Sequence, residues 1–136
     1  MKDIRWEQRL HNLEKAFSEL TNACKLSKYS KLERSGLIQT FEFTFELIWK
    51  TLQDLLINRG YQGPMGPRPV IEQAFHDGLI HNAQVWHKML LSRNMTVHSY
   101  DEKTAEEIAF LIKTEYEPVF KDAVERLCKE KMSAHD

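Results

Sequence analysis

Eight residues, Arg93 to Tyr100, read "RNMTVHSY". They bring a guanidinium, a carboxamide, an imidazole and a phenol into a segment where a helical pattern breaks down. Three of them suit a phosphodiester. The guanidinium of Arg93 can grip phosphate oxygens with a planar fork. The imidazole of His98 can take or give a proton. Asn94 can fix the imidazole tautomer or hold a ribose hydroxyl. Together they could cleave RNA without a metal. The imidazole would deprotonate the 2′-hydroxyl, and the guanidinium would stabilise the charged phosphorane. One histidine per chain is thin for acid–base chemistry, so two chains meeting across a dimer axis would help. The same residue types also serve ordinary helix ends, through capping and the helix dipole. The residues by themselves leave both readings open.

Spacing decides whether these groups can share a site. On a continuous helix Asn94 and His98 lie on one face, whereas Arg93 is about 140° round from His98. Between them stand Met95, Thr96 and Val97, two of them β-branched, which favours a helix end there. A helix ending at Arg93 or Asn94 lets the chain turn, so that both side chains point into one cleft.

A second set lies upstream. Glu42 and Glu46 are one turn apart on a very apolar helix, with Trp49 and Lys50 beyond. Carboxylates on a buried face need partners. They would meet Arg93 across the cleft and orient it, or line a nucleotide pocket with Trp49. The alternative is an exposed strip with an i,i+4 pair between Glu46 and Lys50. The aromatics Phe41, Phe43, Phe45 and Trp49 could stack a base, although core and dimer packing is the better default. His76, His81 and His87 match no metal-ligand spacing, so neither a metal nor a cofactor is expected.

The elements that must carry these residues are helices. Trp6, Leu10, Leu13, Phe17, Leu20 and Cys24 step by fours and threes, predicting an amphipathic helix over 4–26. A turn near Ser27–Ser30 follows. Residues 31–58 form the strongest pattern, with Leu37, Phe41, Phe45, Ile48, Leu52 and Leu55 in one stripe and apolar groups on other faces too. Such a helix is central in a bundle or buried against a second chain, and a homodimer is the expectation. The stretch "RGYQGPMGPRP" holds three of the five glycines and three of the four prolines and reads as a loop. It lacks the ending of a phosphate-binding loop. Pro69 would start a short helix that Gly78 stops, with Val70, Ile71, Ala74 and Phe75 facing one way. Asn82 would cap the next helix. Thr104 and Glu107 have the spacing of a capping box for the last one. Pro118 should kink that helix near Thr114, and the tail "KEKMSAHD" should fray. No strand pattern, repeat or low-complexity tract is visible. The expected fold is all-α: a four-helix up-and-down bundle with a short extra helix in the second connection. It would be one domain over 1–136, with an ordered core at about 4–128.

Composition limits the function classes. The chain has 136 residues, 29% charged and 42% apolar, and a formal net charge of -1. These values fit a soluble globular domain rather than a disordered one. They give no global attraction to nucleic acid, so an RNA-binding role needs a local basic patch. No apolar run reaches membrane-helix length, and the start "MKDIRWEQRL" has no secretory pattern. A cytoplasmic protein is expected, with Cys24 and Cys128 as small buried or half-buried thiols.

The motif "RNMTVHSY" matches the R-N-x-x-x-H-x-Y form found in HEPN domains. The flanking "WHKMLLSRNMTVHSYDEKTAEEI" resembles the branch called nucleotidyltransferase substrate-binding proteins. "LIQTFEFTFELIWKTLQDLL" and "GPRPVIEQAFHDGLI" are similar to that branch's second helix and connecting segment. The resemblance covers about residues 4–128. It implies a dimeric four-helix bundle working beside a minimal nucleotidyltransferase, either as its substrate-binding half or as a toxin to its antitoxin. In the second case the chain is a metal-independent ribonuclease whose catalytic pair is Arg93 and His98, supported by Asn94. Tyr100 is then the acceptor of an AMP group that silences it. The sequence has no nucleotidyltransferase carboxylate triad, so the chain should not transfer nucleotides unaided.

Overall fold

A computed structural model of the protein describes residues 4–135. Helix α1 (Arg5–Ala23) is followed by α2 (Lys31–Asn58), a short α3 (Pro67–His76) and α4 (Ala83–Met95). A 3-10 turn, Thr96–His98, leads to α5 (Glu102–Leu111), a π turn (Ile112–Tyr116) and α6 (Glu117–Ala134). No strand occurs among the described residues, so the chain is all-α, as its periodicity predicts.

Helix α2 is the central element. It packs against α1, α3, α5 and α6, which is why apolar residues occupy most of its sides. The core is aromatic where these helices cross. The Phe41 ring stacks on Tyr116 at 5.3 Å and on Phe120 at 5.8 Å. Trp86 lies 5.8 Å from Phe120 and 6.4 Å from Phe45. These contacts tie α2, α4, the π turn and α6 together. From α1, Trp6, Leu10, Leu13, Ala16 and Leu20 form the buried stripe. Arg9 also donates to the buried Asp54 of α2 at 2.8 Å.

Helix boundaries follow capping chemistry, and here several expectations change. Helix α1 stops at Ala23 rather than Leu26. Ser30 caps α2 in a full capping box: its hydroxyl accepts from the Glu33 N–H at 3.0 Å, and the Glu33 carboxylate accepts from the Ser30 N–H at 2.8 Å. Helix α3 begins at Pro67, two residues before the expected Pro69, because a proline is well tolerated at the first helical position. Its end is a Schellman motif: Leu79 N–H donates to the Ala74 carbonyl and Gly78 N–H to that of Phe75, with Gly78 at φ 77°. Val70, Ile71 and Ala74 are buried, but Phe75 turns outward. Asn82 sits at the start of α4 in the left-handed region and makes no side-chain cap. Its role is conformational, since asparagine tolerates positive φ. The cap of α5 is Asp101, not Thr104. Its carboxylate accepts from the Thr104 N–H at 3.2 Å and hydroxyl at 2.8 Å.

Pro118 acts where expected, but through the hydrogen-bond ladder. Having no N–H, it cannot bond the carbonyl four residues back. The ladder resets upstream as a π turn, in which the Glu117 N–H reaches the Ile112 carbonyl. The expected fraying of the tail does not occur in the described residues, for α6 runs on to Ala134. Glu130 explains this. It accepts from Arg59 at 2.6 Å and from Arg126 at 2.8 Å, and Arg126 donates onward to the Gly78 carbonyl. His135 meets Glu7 at 2.7 Å. The loop before α3 is held by one side chain, Gln53, whose carbonyl oxygen accepts from the Met65 and Gly66 N–H groups.

Phe41→Ala should destabilise the fold by about 3–5 kcal/mol, whereas Phe110→Ala, on an exposed face, should stay within about 0.5 kcal/mol. Urea denaturation of the two variants checks this contrast. Hydrogen bonds from Thr104 hold the Asp101 carboxyl below its usual pKa. Its capping contribution is therefore full above the ordinary aspartate range and fades as pH falls through the lowered value. The stability gap between wild type and Asp101→Asn should close over that acidic window, which thermal melts at stepped pH would reveal.

Candidate functional site

Helix α4 carries Arg93 and Asn94 in its last turn and ends at Met95, slightly later than expected. The Thr96 hydroxyl then folds back onto the Arg93 carbonyl at 2.7 Å. This bond satisfies one of the carbonyls that a helix end leaves open. The following 3-10 turn places His98 five residues beyond Arg93. Its carbonyl accepts from the Asp101 N–H at 3.0 Å, which delivers the chain directly to the α5 cap. The first turn of α5 is tied in turn to α2, because Arg34 reaches Glu102 at 3.4 Å and Glu106 at 3.8 Å. Both ends of the motif are thus fixed to regular elements.

Arg93 points toward α2 rather than into water. Its Nη2 lies 2.8 Å from Glu46 Oε1 in an ion pair, and both side chains are about one-third exposed. The other carboxylate oxygen, Oε2, accepts from the Trp49 indole N–H at 2.9 Å and lies 4.0 Å from Lys50 Nζ. Glu46 thus meets Arg93 with one oxygen and approaches Lys50 with the other. Glu42, half-buried one turn earlier, forms no ion pair among the described residues, and does not join Arg93. Trp49 is buried and works as a donor, not as an open stacking platform. Phe41 and Phe45 are fully buried, while Phe43 is 60% exposed.

His98 and Tyr100 form the second half of the constellation. Both are exposed, with ring centroids 6.0 Å apart and planes at 66°. Tyr100 is 79% exposed, so its phenol is open to reagents. Asn94 is also exposed. No hydrogen bond among the described residues joins Arg93 to His98 within the single chain. The structure thus groups Arg93 with Glu46, Trp49 and Lys50, and His98 with Tyr100.

Sequence reasoning missed the support beneath Arg93. Ser92 is buried and pairs with the Tyr116 hydroxyl at 2.6 Å, and Tyr116 donates to the Lys88 carbonyl at 3.2 Å. Burial pushes the Tyr116 phenol above its usual pKa, so it stays protonated and able to donate. A hydroxyl on the inner face of a helix was the available signal, since a buried polar group needs a partner.

Beside the motif, a groove of about 240 Å³ runs between α4 and α5, lined by Leu91, Ser92, Met95, Thr104, Ile108 and Leu111. A larger one, about 430 Å³, lies between α1 and α6 and includes Lys25, Val124 and Cys128. Burial pushes the Cys24 thiol up to about 11 and raises that of Cys128 as well, so neither is a ready nucleophile. Among the described residues no group of three His, Cys, Asp or Glu side chains is placed to hold a metal ion. His76 is engaged by Asp77 at 3.2 Å. No helix among the described residues is long and apolar enough to cross a membrane.

Comparison with known proteins gives this geometry a family. The chain is 36% identical over 75 residues to a Haemophilus influenzae protein named "Probable ribonuclease HepT". That match spans 52% of this chain and 51% of the relative, about half its length. A solved structure from Thermus thermophilus superposes with a TM-score of 0.78 at 33% identity, covering 85% of this chain and 98% of the other. A second, from Haemophilus influenzae, is described as the fold of a substrate-binding domain of a nucleotidyltransferase. It superposes with a TM-score of 0.72 at 26% identity, covering 87% and 98% of the two chains. The family model for nucleotidyltransferase substrate binding protein like chains matches residues 8–129, and this chain belongs to that family.

Proposed function

We propose that this chain is the HEPN subunit of a two-component system and works beside a minimal nucleotidyltransferase. It acts in the cytoplasm as a homodimeric four-helix up-and-down bundle, one domain over 1–136. It binds nucleotide or RNA, and it cleaves RNA without a metal. One observation carries the reading: a guanidinium paired with Glu46 sits five residues from an exposed imidazole.

In this mechanism the imidazole of His98 removes the proton from a ribose 2′-hydroxyl. The freed oxygen attacks the adjacent phosphorus, and the bond from phosphorus to the 5′-oxygen breaks. Arg93 stabilises the pentavalent phosphorane through the N–H groups that Glu46 leaves free. The departing 5′-oxygen takes a proton from His98 of the partner subunit. The products are a 2′,3′-cyclic phosphate and a 5′-hydroxyl. Asn94 holds the ribose or the imidazole tautomer. The exposed apolar side chains Leu91, Met95 and Val97 around the motif supply surface for the second copy.

Tyr100 is the control point. The partner enzyme would join the phenol oxygen to the α-phosphorus of ATP and release pyrophosphate. The added AMP places bulk and negative charge beside His98, 6.0 Å away ring to ring, and excludes RNA. A second reading, a non-catalytic substrate-binding or scaffold subunit of a split nucleotidyltransferase, is favoured by one feature. The formal charge of -1, with Glu46 against Arg93, gives RNA little long-range attraction.

The purified chain should cut a single-stranded RNA in EDTA and leave cyclic phosphate ends. His98→Ala should lose at least about 100-fold in rate with an unchanged melting temperature. Equal cleavage by both proteins would remove the ribonuclease reading in favour of the scaffold. Incubation with the neighbouring nucleotidyltransferase and ATP should place AMP on Tyr100, seen by mass spectrometry, and abolish cleavage. A Tyr100→Phe chain that the partner still silences would refute the control step.

A further inference from the structure

Arg93 is useful to a phosphorane only if it is aimed and not consumed. Its nearest approach to Glu46 is Nη2 to Oε1 at 2.8 Å. A guanidinium has five N–H donors, so most remain available to a phosphate. The carboxylate is itself held from the far side, where Oε2 accepts from the buried Trp49 indole at 2.9 Å. Glu46 and Trp49 are three residues apart on α2, a rigid central helix, whereas Arg93 reaches out on a long, flexible side chain from the last turn of α4. The precise element therefore steers the less precise one.

We infer that Glu46, locked by Trp49, is the positioning residue for Arg93, fixing its guanidinium against α2 so that the free N–H groups face the scissile phosphate. This rests on the ribonuclease reading above. Charge type matters here as well as size. A guanidinium lies against one oxygen and an indole N–H donates to the other, and only a carboxylate suits both. Glutamine must present an NH2 group to one of them. Glu42 is not an equivalent substitute, for it is a turn away and does not reach Arg93.

Removing a negative charge beside an anionic substrate should by itself favour RNA binding. Losing the aim of Arg93 should slow the chemical step. Glu46→Gln is therefore expected to lower kcat about 10- to 100-fold while KM stays level or falls, a split that general loosening of the fold would not give. Trp49→Phe keeps the ring and drops the donor, and should give a smaller loss of the same kind. In an Arg93→Lys background, Glu46→Gln should cost less than about threefold more, because residues acting as a unit are not additive.

If wild type cleaves and Glu46→Gln cleaves at the same kcat, or if the two losses multiply in the double variant, the positioning role is overturned and the ribonuclease reading stands. If wild type cleaves no better than His98→Ala, the ribonuclease reading falls, and nitrogen-15 NMR of the arginine side chains decides the positioning separately. Hindered rotation of the Arg93 guanidinium in wild type, lost in Glu46→Gln, would support it. Free rotation in both would overturn it.

Discussion

The aromatic stack at the helix crossings is the constraint on which the rest depends. Phe41 and Phe45 come from α2, Trp86 from α4, Tyr116 from the π turn and Phe120 from α6. Flat rings in contact leave little freedom for one helix to slide past another, because a small offset opens gaps that a dense interior does not tolerate. Tyr116 does two jobs in this arrangement. Its ring stacks in the core, and its hydroxyl reaches out to Ser92 and the Lys88 carbonyl. The turn that carries Arg93 is thus referenced to the centre of the molecule, not to a loop.

Most of the helices were legible in the sequence because apolar spacing reports directly on which face is buried. Residues 31–58 were read with their observed limits, and Gly78 ended α3 as its missing Cβ allows. What could not be read was the choice among equivalent local partners. Asn82, Asp101, Thr104 and Glu107 all have cap-forming side chains, and only the arrival angle of the chain decides that Asp101 bonds the free N–H. The tail looked polar and unpaired because Glu130 finds Arg59 across a sequence distance that periodicity does not encode. Phe43 and Phe75 turned out exposed for a related reason: they fall on the uncovered sides of helices whose other faces are full.

The motif residues were visible as chemistry from their types alone, and Glu46 and Trp49 were visible as candidates. Their mutual arrangement was not. Helical periodicity places Glu42 and Glu46 on nearly the same side, one turn apart. Which one meets Arg93 depends on how far α4 runs past α2, a quantity set by packing. Ser92 and Tyr116 were hidden for the opposite reason: both read as ordinary members of a buried face.

The chain has three tryptophans, and Trp49 differs from Trp86 in a way that matters beyond packing. The Trp86 indole nitrogen is buried with no hydrogen-bond partner among the described residues, while that of Trp49 rests on the carboxylate that engages Arg93. An excited indole is sensitive to a nearby charge, so this residue is a label-free optical reporter for events at the guanidinium. Occupancy of the cleft by an anion, or its eviction by a modifying enzyme, would be legible in intrinsic emission without any probe being attached.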